Sequence, residues 1–197
     1  MMDFEYLHKE EEKEEKERRF DSFLNFSLME KRTIFISEPV TPKLTKRVLS
    51  QLMLMDMEDS SKEIRIFLNS PGGSADDGFA IYDAIRSVKS PVKIICTGLT
   101  ASAGTIILCA ASKENRLSFP HTRIMMHQPS SGVMGTASDI RISAEQIVKL
   151  RDRANRVISE ATGQPKEKIE ADTNRDFWLE AQDAVEYGLI GRLVQSF

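Results

Sequence analysis

Apolar residues fall along this chain in two patterns: short near-continuous runs, and stripes spaced three or four positions apart. The runs predict strands at 33–36 (TIFI), 64–69 (IRIFLN) and 92–97 (VKIICT), the last broken by Gly98. Two more strands are expected at 116–119 and 123–127. The stripes predict helices between them. Thr41-Pro42 reads as an N-cap followed by proline at the first helical position, and the helix behind it buries Leu44, Val48, Leu52 and Met55. Residues 76–88 turn Phe79, Ile81, Ala84, Ile85 and Val88 inward, and 102–111 (SAGTIILCAA) are small and apolar enough for a buried helix.

A long helix follows, capped by Ser138 and ended by Gly163, with an apolar stripe of Ile140, Ala144, Ile147, Leu150, Ala154, Val157 and Ile158. It is long for a domain of this size, and its middle carries Lys149, Arg151, Asp152 and Arg153. A short helix at 165–171, a loop at 172–176, a helix at 181–187 stopped by Gly188 and a strand at 189–194 complete the chain. Alternating strands and helices predict an α/β fold with a mainly parallel sheet.

The first residues break the pattern. Residues 9–19 (KEEEKEEKERR) contain nothing apolar and cannot bury a face. Glu12 with Lys16, Glu14 with Arg18 and Glu15 with Arg19 have the favourable acid-first spacing of a solvated helix, each pair contributing only tenths of a kcal/mol. Residues 1–19 therefore read as a mobile or partner-dependent arm, with a disordered tail as the alternative, ahead of a body over 20–197. The net charge of −3 lies wholly in this arm, and the rest balances at 22 acids against 22 bases. A neutral body gives no basic footprint for nucleic acid. No run approaches 18 uninterrupted apolar residues, and the acidic start is unlike a signal peptide, so neither membrane nor export is expected. Cys96 and Cys109 lie in apolar segments and read as buried small hydrophobes in a cytoplasmic protein. CxxC, HExxH and paired histidines are missing, which leaves no support for a metal.

Four features carry chemistry. Ser102 sits among small residues (GLTASAG, 98–104) after a buried strand and at the start of a helix, a position with the mechanics of a nucleophile elbow. Taken alone it reads as a helix cap. His127 ends a strand, on the side of an α/β sheet where ligands bind, and is placed to act as base for Ser102. Asp172 and Asp176 share one loop, and either could orient that histidine. The turn NSPGGS (69–74) follows a strand with two glycines that let backbone N–H groups face an anion.

Together, NSPGGS (69–74), GLTASAG (98–104), RIMMHQP (123–129), GTASDI (135–140), DTNRDFW (172–178) and EAQDAVEYGLI (180–190) resemble the proteolytic subunit of the Clp protease, the ClpP family. The resemblance runs over about 20–195. It implies a ClpP/crotonase-like fold of repeated β-β-α units with a protruding handle helix, the handle spanning about 128–162. It implies a serine endopeptidase with Ser102 as nucleophile, His127 as base and Asp176, rather than Asp172, as the carboxylate. Gly73 and Ala103 would supply the oxyanion-hole amides, and Ser130, Ser131, Gly132, Val133 and Met134 the strand that pairs with an extended substrate. No metal or nucleotide cofactor is implied for this chain. The implied partners are unfolded polypeptides, an AAA+ unfoldase, and further subunits in two stacked heptameric rings.

The chain also departs from the family pattern. The charged arm stands where axial loops are usual. Arg65, Ser87 and Thr97 match unfoldase-docking positions that are often apolar, and Ser131 stands where glycine is common. These departures raise the expectation of a divergent paralogue working in a mixed particle. The alternative readings are a catalytically quiet regulatory subunit and, from the shared superfold, a crotonase-type acyl-CoA enzyme.

Overall fold

The computed structural model describes residues 4–196. Helix α1 (Phe4–Glu30) runs without a break past residues 19 and 20. Phe20, Phe23 and Phe26 stand 60–65% exposed on it, and among the described residues of this helix only Met29 reaches the core. Strand β1 (Thr33–Ile36) and helix α2 (Pro42–Glu58) follow as the sequence predicts. Thr41 caps α2 by accepting from the Leu44 N–H, and Leu44, Val48, Leu52 and Met55 are buried. Strand β2 (Ile64–Ser70) leads through the Pro-Gly-Gly turn to helix α3 (Ala75–Ser87), capped by Ser74.

Strand β3 corrects the sequence reading. It does not stop at Gly98 but spans Val92–Ala101. Helix α4 is the short Ala103–Leu108, so the stretch 102–111 is helical only in part. Strands β4 (Arg116–Ser118) and β5 (Arg123–Met126) precede helix α5 (Ala137–Thr162). Its cap is Thr136, not Ser138. Thr136 Oγ1 accepts from the Asp139 N–H, and Asp139 Oδ2 accepts from the Thr136 N–H, a reciprocal pair that Ser138 cannot make. Gly163 ends the helix in the left-handed conformation at φ 75°. After helix α6 (Lys166–Asp172) comes strand β6 (Phe177–Glu180), which the polar neighbourhood of DFWLE hid. Helix α7 (Ala181–Tyr187) is as expected, and the final strand β7 shrinks to Arg192–Leu193.

The sheet orders β1-β2-β3-β4-β7, all parallel, with β5 alongside the far half of β3 and β6 antiparallel to β5. Helices α2, α3 and α4 cover one face, where Ile34, Ile36, Ile64, Ile66, Leu68 and Ile94 form the main core. The opposite face carries a smaller cluster of Phe67, Ile95, Leu117 and Val194, with Phe35 stacked on Phe67 at 5.0 Å. Each strand thus divides its side chains between two apolar faces, which is why β1–β3 read as continuous apolar runs.

Only the later turns of α5 meet the core. Leu150, Ala154, Val157 and Ile158 pack there, whereas Ile140, Ile142 and Val148 remain about half exposed. The stripe read from sequence is therefore buried by its own chain at one end only. Residues 127–136, before the helix, form no regular strand.

Arg32 fastens the edge of the fold. Its guanidinium donates to the carbonyls of Met55 (2.7 Å), Lys62 (3.1 Å) and Glu63 (3.2 Å) and to Ser90 Oγ (3.0 Å). Arg32→Ala strips these acceptors of their donor and is expected to lower unfolding free energy by about 2–3 kcal/mol. A denaturant titration of the variant against the parent chain checks it.

Candidate active site

The site is built where β3 changes neighbours. Over Ile94, Ile95 and Cys96 it pairs with β4, and over Leu99, Thr100 and Ala101 it pairs with β5. On its other side the register against β2 jumps between Leu68↔Cys96 and Ser70↔Thr100. Two extra β3 residues are taken up at this bulge, which Gly98 makes possible with φ 59°. Asn69 Oδ1 accepts the Leu99 N–H at 3.0 Å and fills the opening.

The offset brings the β2 exit turn against the β3 exit. Gly72, at φ 87°, lies so close that a Cβ there would fall 2.6 Å from Ser102 Cβ and 2.9 Å from the Ala103 nitrogen. Val40 holds the turn from outside: its N–H donates to the Gly72 carbonyl (2.8 Å) and its carbonyl accepts from the Ser74 N–H (2.9 Å). Ser102 itself has φ 54° and ψ −121°. Such a conformation costs on the order of 1–3 kcal/mol in a non-glycine residue. The surroundings enforce it: the Ser102 N–H donates to the Met125 carbonyl at 2.9 Å, and its own carbonyl accepts from the Thr105 N–H and hydroxyl. The Ser102 side chain caps nothing, contrary to the bland reading of a serine at a helix start. It is turned out toward β5.

His127 follows the last residue of β5 and meets it. His127 Nε2 lies 2.9 Å from Ser102 Oγ, and Nδ1 lies 3.0 Å from Asp176 Oδ1. The tautomer that satisfies both contacts has Nδ1–H donating to the carboxylate and the serine hydroxyl donating to Nε2. Asp176 comes from the antiparallel register, since Met126 faces Phe177 and the residues just beyond each must adjoin. The Gln128 N–H donates to the Thr173 carbonyl at 2.7 Å and fixes the loop.

Asp172 is elsewhere. As the last residue of α6 it accepts from Lys168 Nζ and from the Tyr187 hydroxyl, each at 2.6 Å. Burial pushes its carboxyl pKa up, but these donors outweigh burial and hold it below 3.8. Tyr187 is raised in turn, first by burial and then by the hydrogen bond to Asp172. The two aspartates left open by sequence are thus separated by geometry: one anchors α6 to α7, the other adjoins His127.

A cleft of about 540 Å³ runs past these groups, with Gly73, Ser102, His127, Ser130 and Ser131 among its walls. Neither the Gly73 nor the Ala103 N–H finds a backbone acceptor among the described residues. Gly132, Val133 and Met134 lie along the segment leaving the cleft, with Met134 97% exposed. The stretch 130–134 is not a strand in the free chain, because no neighbouring strand of its own pairs with it. An apolar recess beside Ser102, continuous with the cleft through shared walls at His127, Pro129 and Leu150, is lined by Phe79, Ile106, Ala154 and Ile158. Sequence reasoning named no recess, since its walls come from three helices.

The thiols do not compete as nucleophiles. Burial pushes Cys96 up to about 12 and Cys109 up to about 11, so both are protonated at neutral pH. No group of three or more metal-ligating side chains occurs among the described residues. No helix among them is long and apolar enough to cross a membrane.

A serine backed by histidine and aspartate at a strand–helix turn of an α/β sheet defines a serine-hydrolase type of site. Comparison with known proteins narrows the class. The Clp protease family model matches residues 14–197. The chain is 44% identical over 180 residues to the ATP-dependent Clp protease proteolytic subunit 2 of Parasynechococcus marenigrum, covering 91% of this chain and 90% of that one. It is 47% identical over 170 residues to proteolytic subunit 3 of Rhizobium etli, covering 86% and 87%. A solved structure of a ClpP mutant from Listeria monocytogenes superposes with a TM-score of 0.82 at 41% identity, covering 88% of this chain and 96% of that one. The chain belongs to the Clp protease family and is a ClpP-type serine peptidase subunit.

Gly72→Ala is expected to leave the chain folded but displace Ser102, with loss of labelling by a fluorophosphonate probe. The added Cβ has no room and a positive φ to hold. Asp172→Asn should instead change acid stability. A carboxyl held below its usual value contributes stability above about pH 3.8 that disappears as pH falls through the lowered value. The variant lacks that component, which urea titrations between pH 2 and roughly 6 would register.

Proposed function

We propose that this chain hydrolyses peptide bonds in unfolded polypeptides, with Ser102 as nucleophile, His127 as general base and Asp176 as the orienting carboxylate. The observation that carries the reading is the unbroken hydrogen-bonded line from Asp176 through His127 to Ser102 on one wall of a cleft. His127 Nε2 takes the hydroxyl proton as Ser102 Oγ attacks the scissile carbonyl. Asp176 keeps the imidazole in the required tautomer and stabilises its cationic form. The tetrahedral oxyanion is received by the Gly73 and Ala103 N–H groups, each contributing on the order of 3 kcal/mol. His127 returns the proton to the leaving amine, and water then attacks the acyl-enzyme by the same route. The chain's own residues supply every group this sequence requires.

The substrate backbone lies along Ser130, Ser131, Gly132, Val133 and Met134 as an added strand. This is favoured by the absence of any strand partner for that segment, which an incoming peptide would supply. The half-exposed Ile140, Ile142 and Val148 support a handle over about 128–162 that another subunit covers. The assembly is two stacked heptameric rings, either of this chain alone or mixed with a paralogous subunit, in the cytoplasm. Residues 1–19 form the axial arm and 20–197 the peptidase body. An AAA+ unfoldase feeds the particle. Around Ile95 and Leu117 the rim carries Arg65 and Arg192, besides Lys93 paired with Glu63 at 2.6 Å, a more charged docking face than an apolar loop prefers, which favours the mixed particle.

The test is direct. Ser102→Ala should abolish both fluorophosphonate labelling and peptide hydrolysis while native mass stays unchanged. Asp176→Asn should cut kcat by on the order of 10⁴, whereas Asp172→Asn should retain most activity. Absence of labelling at Ser102, alone and in a mixed particle, would instead identify a quiet subunit.

A further inference from the structure

The charge cluster in the middle of α5 has two halves that behave differently. Arg151 and Asp152 pair with each other at 3.2 Å. Lys149 and Arg153, one turn apart, line the catalytic cleft together with Ser102 and His127. Neither has an ion pair among the described residues. Arg153 is held in place nonetheless, its guanidinium carbon 5.2 Å from the centre of the Phe79 ring. Phe79 is a wall of the apolar recess beside Ser102, so a fixed cation stands at the edge of that recess. The facing wall carries one opposite charge, Asp76 in the first turn of α3. The cleft therefore has a basic side along α5 and an acidic corner at α3.

We infer that Lys149 and Arg153 make this site selective for peptides bearing an acidic side chain next to the apolar residue that enters the Phe79 recess. The inference rests on the peptidase reading above and adds a preference to it. A carboxylate reaching toward α5 meets two cations without carboxylate partners among the described residues, whereas the equivalent amide meets only their desolvation. The cleft is open, so the gain is that of partly screened pairs, about 2–5-fold per acidic residue. It acts on binding of the flanking residue and appears mainly in KM.

The experiment compares matched fluorogenic peptides with Glu or Gln at each position flanking an apolar residue, cleaved by the full-length assembled particle. The readout is the Glu-to-Gln ratio of kcat/KM within each variant, which cancels any general loss of activity. The ratio should be about 2–5 at one flanking position and fall as salt rises. Lys149→Gln and Arg153→Gln should each lower it toward one, and Asp76→Asn should raise it. Lys149 does not line the Phe79 recess, so its variant separates charge from damage to the recess. A ratio of one at every position in the parent particle, or a ratio unchanged in both cation variants, overturns the inference and leaves the peptidase reading intact. A particle that neither labels at Ser102 nor cleaves any of the peptides overturns both.

Discussion

Everything at the site depends on one strand changing partners. β3 cannot pair with β4 and β5 along the same stretch, so one gives way to the other along a single edge. Between the two stretches, on the opposite edge, a two-residue bulge at Gly98 shifts β3 against β2. Before it, β3 is an ordinary central strand of a parallel sheet. After it, β3 lies beside β5 and delivers Ser102 to the point where β5 releases His127. The same offset advances β3 relative to β2, so the β2 exit turn ends against Ser102. Ser102, His127 and the glycine turn therefore converge through backbone hydrogen bonding, and their side chains need only adopt the orientation the backbone hands them.

That convergence explains where the chain accepts backbone cost. Ser102 sits at positive φ, held by the Met125 carbonyl on one side and Thr105 on the other. Gly72 leaves out a side chain because no volume remains for one. Asn69 spends its side chain on the bulge rather than on substrate. These residues hold the backbone around Ser102 in one arrangement.

Helix α5 shows the opposite economy. Its later turns are packed on the core and present Lys149, Leu150 and Arg153 to the cleft, while its first turns leave apolar side chains in water. One helix thus serves as a cleft wall and as an uncovered surface.

The sequence by itself determined the secondary elements whose signals are local. Thr41-Pro42 started α2, Gly163 and Gly188 stopped α5 and α7, and the apolar runs marked β1 and β2, because caps, prolines and periodicity act over a few residues. It also made Ser102 and His127 conspicuous. It misread Gly98 as a strand end, since a glycine that breaks a strand and one that bulges it look alike until the neighbouring strands are present. It missed β6, whose pairing with β5 is what makes it a strand. The residue physics alone did not choose between Asp172 and Asp176; resemblance pointed to the second. The antiparallel register of β5 with β6 separates them, setting Asp176 beside His127 and leaving Asp172 to Lys168 and Tyr187. Such choices belong to tertiary structure because they depend on which distant strands share hydrogen bonds, and no local pattern along the chain carries that information.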